Sequence, residues 1–138
     1  MDTLSPVFSR ELERRGIPPG EARRAADLVS KALVFSLSDE RGRWILGSHP
    51  EARSEYRMRV RTPGGTRTLV MDRVFRENGG ERWVVDYKTS RHEGADLEAF
   101  LDRERDRYAT QLDAYGRLFA GSRRGLYFPL LRGWRSQE

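Results

Sequence analysis

Apolar side chains recur at helical spacing along the first part of the chain. Ser5 followed by Pro6 reads as a helix start and Gly16 as its stop, which predicts a short helix over 6–15. Ile17-Pro18-Pro19-Gly20 is a linker. Beyond it Ala25, Leu28, Val29, Ala32, Leu33 and Phe35 to Leu37 put one buried face on a helix over 21–37. Asp39 to Gly42 turns the chain, and Trp44-Ile45-Leu46 reads as a short strand. The period then drops to two. Tyr56, Met58 and Val60 alternate with Glu55, Arg57, Arg59 and Arg61, as in a half-buried strand, and Pro63-Gly64-Gly65 is a hairpin turn. Thr66 to Phe75 is the second strand, Asn78-Gly79-Gly80 the second turn and Arg82 to Lys88 the third strand. Leu97, Phe100, Leu101, Tyr108, Leu112, Tyr115, Leu118 and Phe119 mark one long helix stopped at Gly121, and Gly125 to Phe128 is a last strand. The order helix-strand-strand-strand-helix-strand predicts an α/β (α+β) fold, a mixed central sheet flanked by helices.

Length and composition narrow the chemistry. At 138 residues the chain is expected to be one domain, with residues 1–20 as an N-terminal helix and linker and 21–138 as its core. Hydrophobic residues make up 37% and charged residues 34%, above the usual ~25%, which argues for a folded and highly charged surface. No apolar run approaches the ~18 residues of a membrane span, and the first residues lack the pattern of a leader, so an intracellular, cytoplasmic protein with no membrane partner is expected. Cysteine is absent and histidine occurs only at 49 and 92, which removes thiol chemistry, iron-sulfur clusters and cysteine-bound zinc. Any metal must be held mainly by carboxylates.

The formal charge is +5, and it is concentrated: from Arg53 to Arg73 six arginines face only Glu55 and Asp72. Such a segment suits a polyanion, with Arg57, Arg59, Arg61 and Arg73 as candidates to grip phosphates by charge rather than by base sequence. Of 26 basic residues only Lys31 and Lys88 are lysine, so each is worth inspecting; Lys31, within a helix, reads as a surface residue.

Asp72 lies inside the apolar run Leu69 to Phe75 and Asp86 inside Trp83 to Tyr87. A carboxylate in a buried strand costs several kcal/mol unless its charge is compensated. The turn between the strands decides whether the two share a partner. A two-residue turn sends them to opposite faces, whereas a three-residue turn over Asn78-Gly79-Gly80, or a bulge, sets Asp72 across from Asp86, about 5 Å away at Cα. The expectation is the odd-length turn. Lys88, two residues beyond Asp86, then projects to the same face. Two acids and a lysine around Mg²⁺ or Mn²⁺ suit phosphodiester hydrolysis. The plainer alternative pairs each aspartate with a neighbouring cation or amide.

Three separated segments carry a family resemblance: Met71-Asp72-Arg73-Val74, then Trp83-Val84-Val85-Asp86-Tyr87-Lys88-Thr89-Ser90, then Tyr108-Ala109-Thr110-Gln111-Leu112-Asp113-Ala114-Tyr115. In this order they resemble the nuclease domain of the RecB/AddA type, within the PD-(D/E)XK superfamily. The resemblance covers roughly 50–134. It implies a restriction-endonuclease-like core and a Mg²⁺- or Mn²⁺-dependent DNA nuclease that acts on a duplex end or a single strand. It also implies association with the nucleoid, as part of or partner to a helicase domain or subunit in double-strand-break repair. By motif Asp72 and Asp86 resemble the metal ligands, the carbonyl of Tyr87 a backbone ligand, Lys88 the catalytic lysine, and Gln111 with Tyr115 the Q-x-x-x-Y signature. Tyr108, Gln111 and Tyr115 also share a helix face, which suits either an active-site edge or an ordinary core pair. Glu55 resembles the first acidic position, which implies a metal ligand acting directly or through water, with a surface ion pair to its neighbouring arginines as the alternative.

The chain departs from the pattern in one respect. Many RecB-type domains carry a metal-binding histidine on the helix before the sheet; Glu21 to Leu37 has none, and His49 lies in a Ser-His-Pro turn. A nuclease-fold module that binds DNA or docks in a helicase assembly without cutting is therefore the second reading, and a general protein-interaction domain the third. No Walker A motif is present, which excludes ATP use by this chain alone.

Overall fold

The structure, a computed structural model, describes residues 5–92 and 94–137; Met1 to Leu4, part of the segment from which the lack of a leader is read, lie outside them. Helices α1 (Ser5–Arg14) and α2 (Pro19–Ser38) pack as a hairpin. Gly16 ends α1 with φ +92°, a left-handed backbone that favours glycine, and Pro19 occupies the first position of α2, where its missing N–H costs nothing.

The next element corrects the sequence reading. Trp44-Ile45-Leu46 is the last turn of a helix, α3 (Glu40–Leu46), and not a strand. Asp39 caps α3 by accepting from the Gly42 amide, and α2 meets α3 in a corner that only glycine fits: a Cβ on Gly42 would lie 2.2 Å from the Ser36 carbonyl oxygen.

Five strands form one mixed sheet in the order β1-β2-β3-β4-β5: β1 (Arg53–Thr62), β2 (Gly65–Arg76), β3 (Arg82–Tyr87), β4 (Arg123–Phe128) and β5 (Gly133–Gln137). β3 and β4 are parallel, joined by a crossover through α4 (Leu97–Arg107) and α5 (Ala109–Leu118); the other neighbours are antiparallel. The architecture is a mixed α+β fold. Two further differences from expectation stand out. The long helix is two helices, broken at Tyr108 (φ −100°, ψ 10°), which caps α4 and opens α5. β5 adds an edge strand that five residues with a single apolar side chain did not announce.

Packing explains why β3 is the spine. Trp83, Val84, Val85 and Asp86 are all buried, because the sheet is covered on both faces. On one face Val74, Val84, Leu126 and Phe128 pack with Leu101 of α4 and with Leu112 and Tyr115 of α5. On the other, Phe75, Trp83, Val85 and Tyr127 pack with Ile45 of α3. Trp134 crosses this second face at Gly125, where any Cβ would lie 2.1 Å from its ring. No helix among the described residues is long and apolar enough to cross a membrane.

Candidate active site

The hairpin between β2 and β3 has the odd-length turn. The Glu77 amide donates to the Glu81 carbonyl across Asn78-Gly79-Gly80, whose two glycines adopt φ +110° and +112°. The resulting register pairs Arg76 with Arg82, Val74 with Val84 and Arg73 with Val85, so the next position sets Asp72 across from Asp86.

At that position the sheet forks. The β2–β3 ladder ends at Arg73–Val85, while β3 continues beside β4 and the Lys88 amide donates to the Tyr127 carbonyl at 2.8 Å. In place of the missing rung, the Asp72 carboxylate accepts from the Tyr87 amide at 2.8 Å. β2 also slips in phase here: Met71 and Val74, three residues apart, share the α4/α5 face, whereas strict alternation would separate them. Thus a strand kink turns Asp72 into the fork.

Lys88 closes the group. Its ammonium donates to Asp86 at 3.2 Å and to the Gln111 side-chain oxygen at 3.1 Å, and it stands 3.9 Å from the centre of the Tyr108 ring. Gln111 in turn donates to the Tyr115 hydroxyl at 2.9 Å. That hydroxyl donates to the Val70 carbonyl at 3.1 Å and lies 3.5 Å from Asp86, so Tyr115 ties both prongs of the fork together from α5. Asp86 is only 4% exposed and Tyr115 1%. Burial pushes the Asp72 carboxyl up to about 6; the Asp86 carboxylate pushes the same way, and the Tyr87 amide and the Lys88 ammonium offset only part of it. Burial first, and then the two carboxylates, also hold the Tyr115 hydroxyl in its protonated form.

The arrangement suits a hard cation. The high affinity of Asp72 for a proton comes first from burial and then from the neighbouring Asp86 carboxylate, and among the described residues no guanidinium pairs with either acid. Mg²⁺ needs only one or two carboxylates, with water, a backbone carbonyl such as that of Tyr87 and substrate oxygens completing its shell. Among the described residues no group of three or more Asp, Glu, His or Cys is placed to hold a metal, so such a shell would rest on this pair.

No protein-family model and no curated protein matches the chain.

The remaining site candidates fall elsewhere. Glu55 is exposed, has φ +51° and sits between the rungs Ser54–Arg73 and Tyr56–Met71, across β1–β2 from Asp72. Among the described residues its side chain makes neither a hydrogen bond nor an ion pair, so the surface pair with its neighbouring arginines is not formed. Arg73 corrects the set of phosphate-gripping arginines. Its guanidinium donates to the carbonyls of Ile45 and Gly47 and to the Ser54 hydroxyl, fastening the end of α3 to the sheet instead of facing solvent. Arg57, Arg59 and Arg61 are exposed. His49 binds the Trp44 carbonyl and stacks on Phe75 at 4.2 Å, on the sheet face away from the carboxylates. Tyr108 is the residue that sequence reasoning placed on the right helix face without a role. Its contact with Lys88 depends on the helix break, which its spacing did not signal.

Proposed function

We propose that this chain is a metal-dependent DNA nuclease domain that hydrolyses phosphodiester bonds at Asp72, Asp86 and Lys88, working with a helicase domain or subunit at broken DNA in the nucleoid. The observation that carries the reading is the meeting of two carboxylates across the β2–β3 fork with one ammonium hydrogen-bonded to both Asp86 and Gln111. The three-segment resemblance to RecB/AddA-type nucleases supports it and supplies the choice of DNA.

Mg²⁺ or Mn²⁺ held by Asp72, Asp86 and the Tyr87 carbonyl would polarise a phosphoryl oxygen and acidify a water. The chain's own residues do the rest. Lys88 presents its charge where negative charge grows on the phosphate, worth about 10²- to 10³-fold in rate for one preorganised donor. Gln111 and the face of Tyr108 hold that ammonium in place. Tyr115 fixes the gap between the strands through Val70 and Asp86. Asp72 and Asp86 stand on strands and Gln111 and Tyr115 on α5, while Lys88 directly follows β3 and Tyr108 sits at the break between α4 and α5; such rigid elements keep a constellation within the narrow tolerance that catalysis needs.

The test is degradation of linear DNA in the presence of Mn²⁺ or Mg²⁺. The parent should cut only with the ion, and Asp86→Asn and Lys88→Met should each lose at least 100-fold in rate while keeping the parent's circular dichroism. Variants that cut as well as the parent would overturn the assignment. One observation favours a second reading, a module that binds DNA without cutting. α2 offers no histidine, and His49 is committed to Trp44 and Phe75. Salt-sensitive DNA binding with no cleavage by the parent in either ion would select it.

A further inference from the structure

The β1–β2 hairpin outruns the rest of the sheet. Its rungs extend from Arg53–Val74 to Thr62–Gly65, but β3 joins only from Arg73 onward. The seven rungs from Tyr56–Met71 to the tip therefore form a two-stranded ribbon, about 20 Å long at the strand rise. Its two faces differ in kind. Tyr56, Met58 and Met71 turn toward α5 and join the core with Leu112 and Tyr115, which anchors the ribbon at its base. Arg57, Arg59 and Arg61 occupy the opposite face, all exposed, across from Val70, Thr68 and Thr66. Among the described residues the side chains of the three arginines make no ion pair and no hydrogen bond, and no acid occurs between Tyr56 and Met71. Asp86 packs against Tyr115 of α5, so the arginine row and Asp86 lie on different faces of the sheet.

We propose that this ribbon is a docking arm for the phosphate backbone of one DNA strand, separate from the cleft that holds Asp72 and Asp86. Alternate residues along a strand stand about 7 Å apart, so the row presents its guanidiniums singly to successive phosphates, with Thr66 and Thr68 as hydroxyl donors alongside. A strand seated there contacts the protein behind the fork, and only the stretch that rounds the ribbon reaches Lys88. Binding and hydrolysis are then separable by mutation. The choice of DNA as the polyanion rests on the proposed nuclease reading; the arm itself does not.

The experiment measures affinity of the whole chain for a fluorescent 30-nucleotide oligothymidine from 50 to 200 mM salt, with EDTA present so that nothing is cut. The parent is compared with the triple variant Arg57→Gln, Arg59→Gln, Arg61→Gln and with a charge-matched control, Arg10→Gln, Arg14→Gln, Arg15→Gln, on α1 and directly after it. Each phosphate contact on a single strand contributes about 0.7 to the slope of log affinity against log salt, so losing three flattens it by about 2. Over this salt range the parent should weaken about 20-fold more than the ribbon variant, and the control should follow the parent. Equal slopes for parent and ribbon variant, or an equal effect of the control, would overturn the arm. So would polyglutamate that displaces the oligonucleotide at matched charge, since the partner would then be an acidic protein. A parent that binds in this way yet never cuts leaves the arm standing and removes the nuclease reading; cutting with an unaltered slope does the reverse.

Discussion

The two faces of the sheet bury different things. Under α3 the face is a cluster of rings: Trp44 stands edge-on to Phe75, Trp83 and Trp134 at 5.1 to 5.8 Å between centres, beside an apolar cavity of about 230 Å³ lined by Leu28, Ala32, Ile45 and Tyr127. Under α5 the corresponding depth holds Asp86, Lys88, Gln111 and the Tyr115 hydroxyl, joined in one hydrogen-bonded chain. Rings and methyls would stabilise that second site at least as well, since a buried ion pair rarely repays its desolvation. Apolar space thus lies under α3, while under α5 charge is kept buried at a cost. The contrast teaches that the polar depth, and not the empty volume, carries the buried titratable groups on which the proposed function rests.

Substitutions that trade one face against the other test that contrast. The largest effect on stability is expected from Lys88→Ala, which strands Asp86 beside Asp72: about 3 to 5 kcal/mol in urea unfolding without metal, partly restored by Mg²⁺. On the ring face, Gly125→Ala forces Trp134 aside and should cost about 1 to 3 kcal/mol by the same measurement, with DNA cleavage per folded molecule unchanged. Acidity separates the faces more finely. Asp72 holds its proton up to about pH 6 in the folded chain, against about 3.8 in an ordinary environment. The native state therefore binds more protons than the unfolded chain between these values, and stability must fall as pH rises from about 4 to about 6. Without metal the parent should lose about 2 kcal/mol over that window relative to Asp72→Asn. The difference cancels the opposite trend from Glu51 and Asp102, which Arg76 and Arg135 hold below the usual carboxylate range. The smallest effect belongs to Tyr108. Tyr108→Phe keeps a ring on Lys88 and should leave turnover near the parent's, while Tyr108→Leu should lower it about tenfold with little change in KM, matching the ~1 kcal/mol or more of a desolvated cation–ring contact.

Much of this arrangement was legible residue by residue. Alternation marked β1, β2 and β3, but Asn78-Gly79-Gly80 allowed a two- or a three-residue turn, and it was the need of two buried carboxylates for a shared partner that favoured the odd-length one, because one residue more or less reverses every side chain. What stayed hidden depended on tertiary partners. Trp44-Ile45-Leu46 is too short a run to show a period, and its helix begins at a cap, Asp39, whose hydroxyl partner Tyr127 comes from a strand 88 residues later. Leu101, Tyr108, Leu112, Tyr115 and Phe119 keep helical spacing across the break at Tyr108, so the pattern runs on where the helix does not. Arg73 looks like its neighbours Arg57 and Arg59 in the sequence; only the carbonyls at the end of α3 single it out.

The most direct test of the central claim is the binding of a divalent ion to the fork, read from the electron paramagnetic resonance of Mn²⁺ titrated into the metal-free protein at pH 7. The account predicts that the parent removes free Mn²⁺ from solution, that Mg²⁺ displaces it, and that Asp72→Asn and Asp86→Asn each abolish the uptake. A parent that leaves Mn²⁺ free, or aspartate variants that bind it as the parent does, would contradict the claim that these two carboxylates form a cation site.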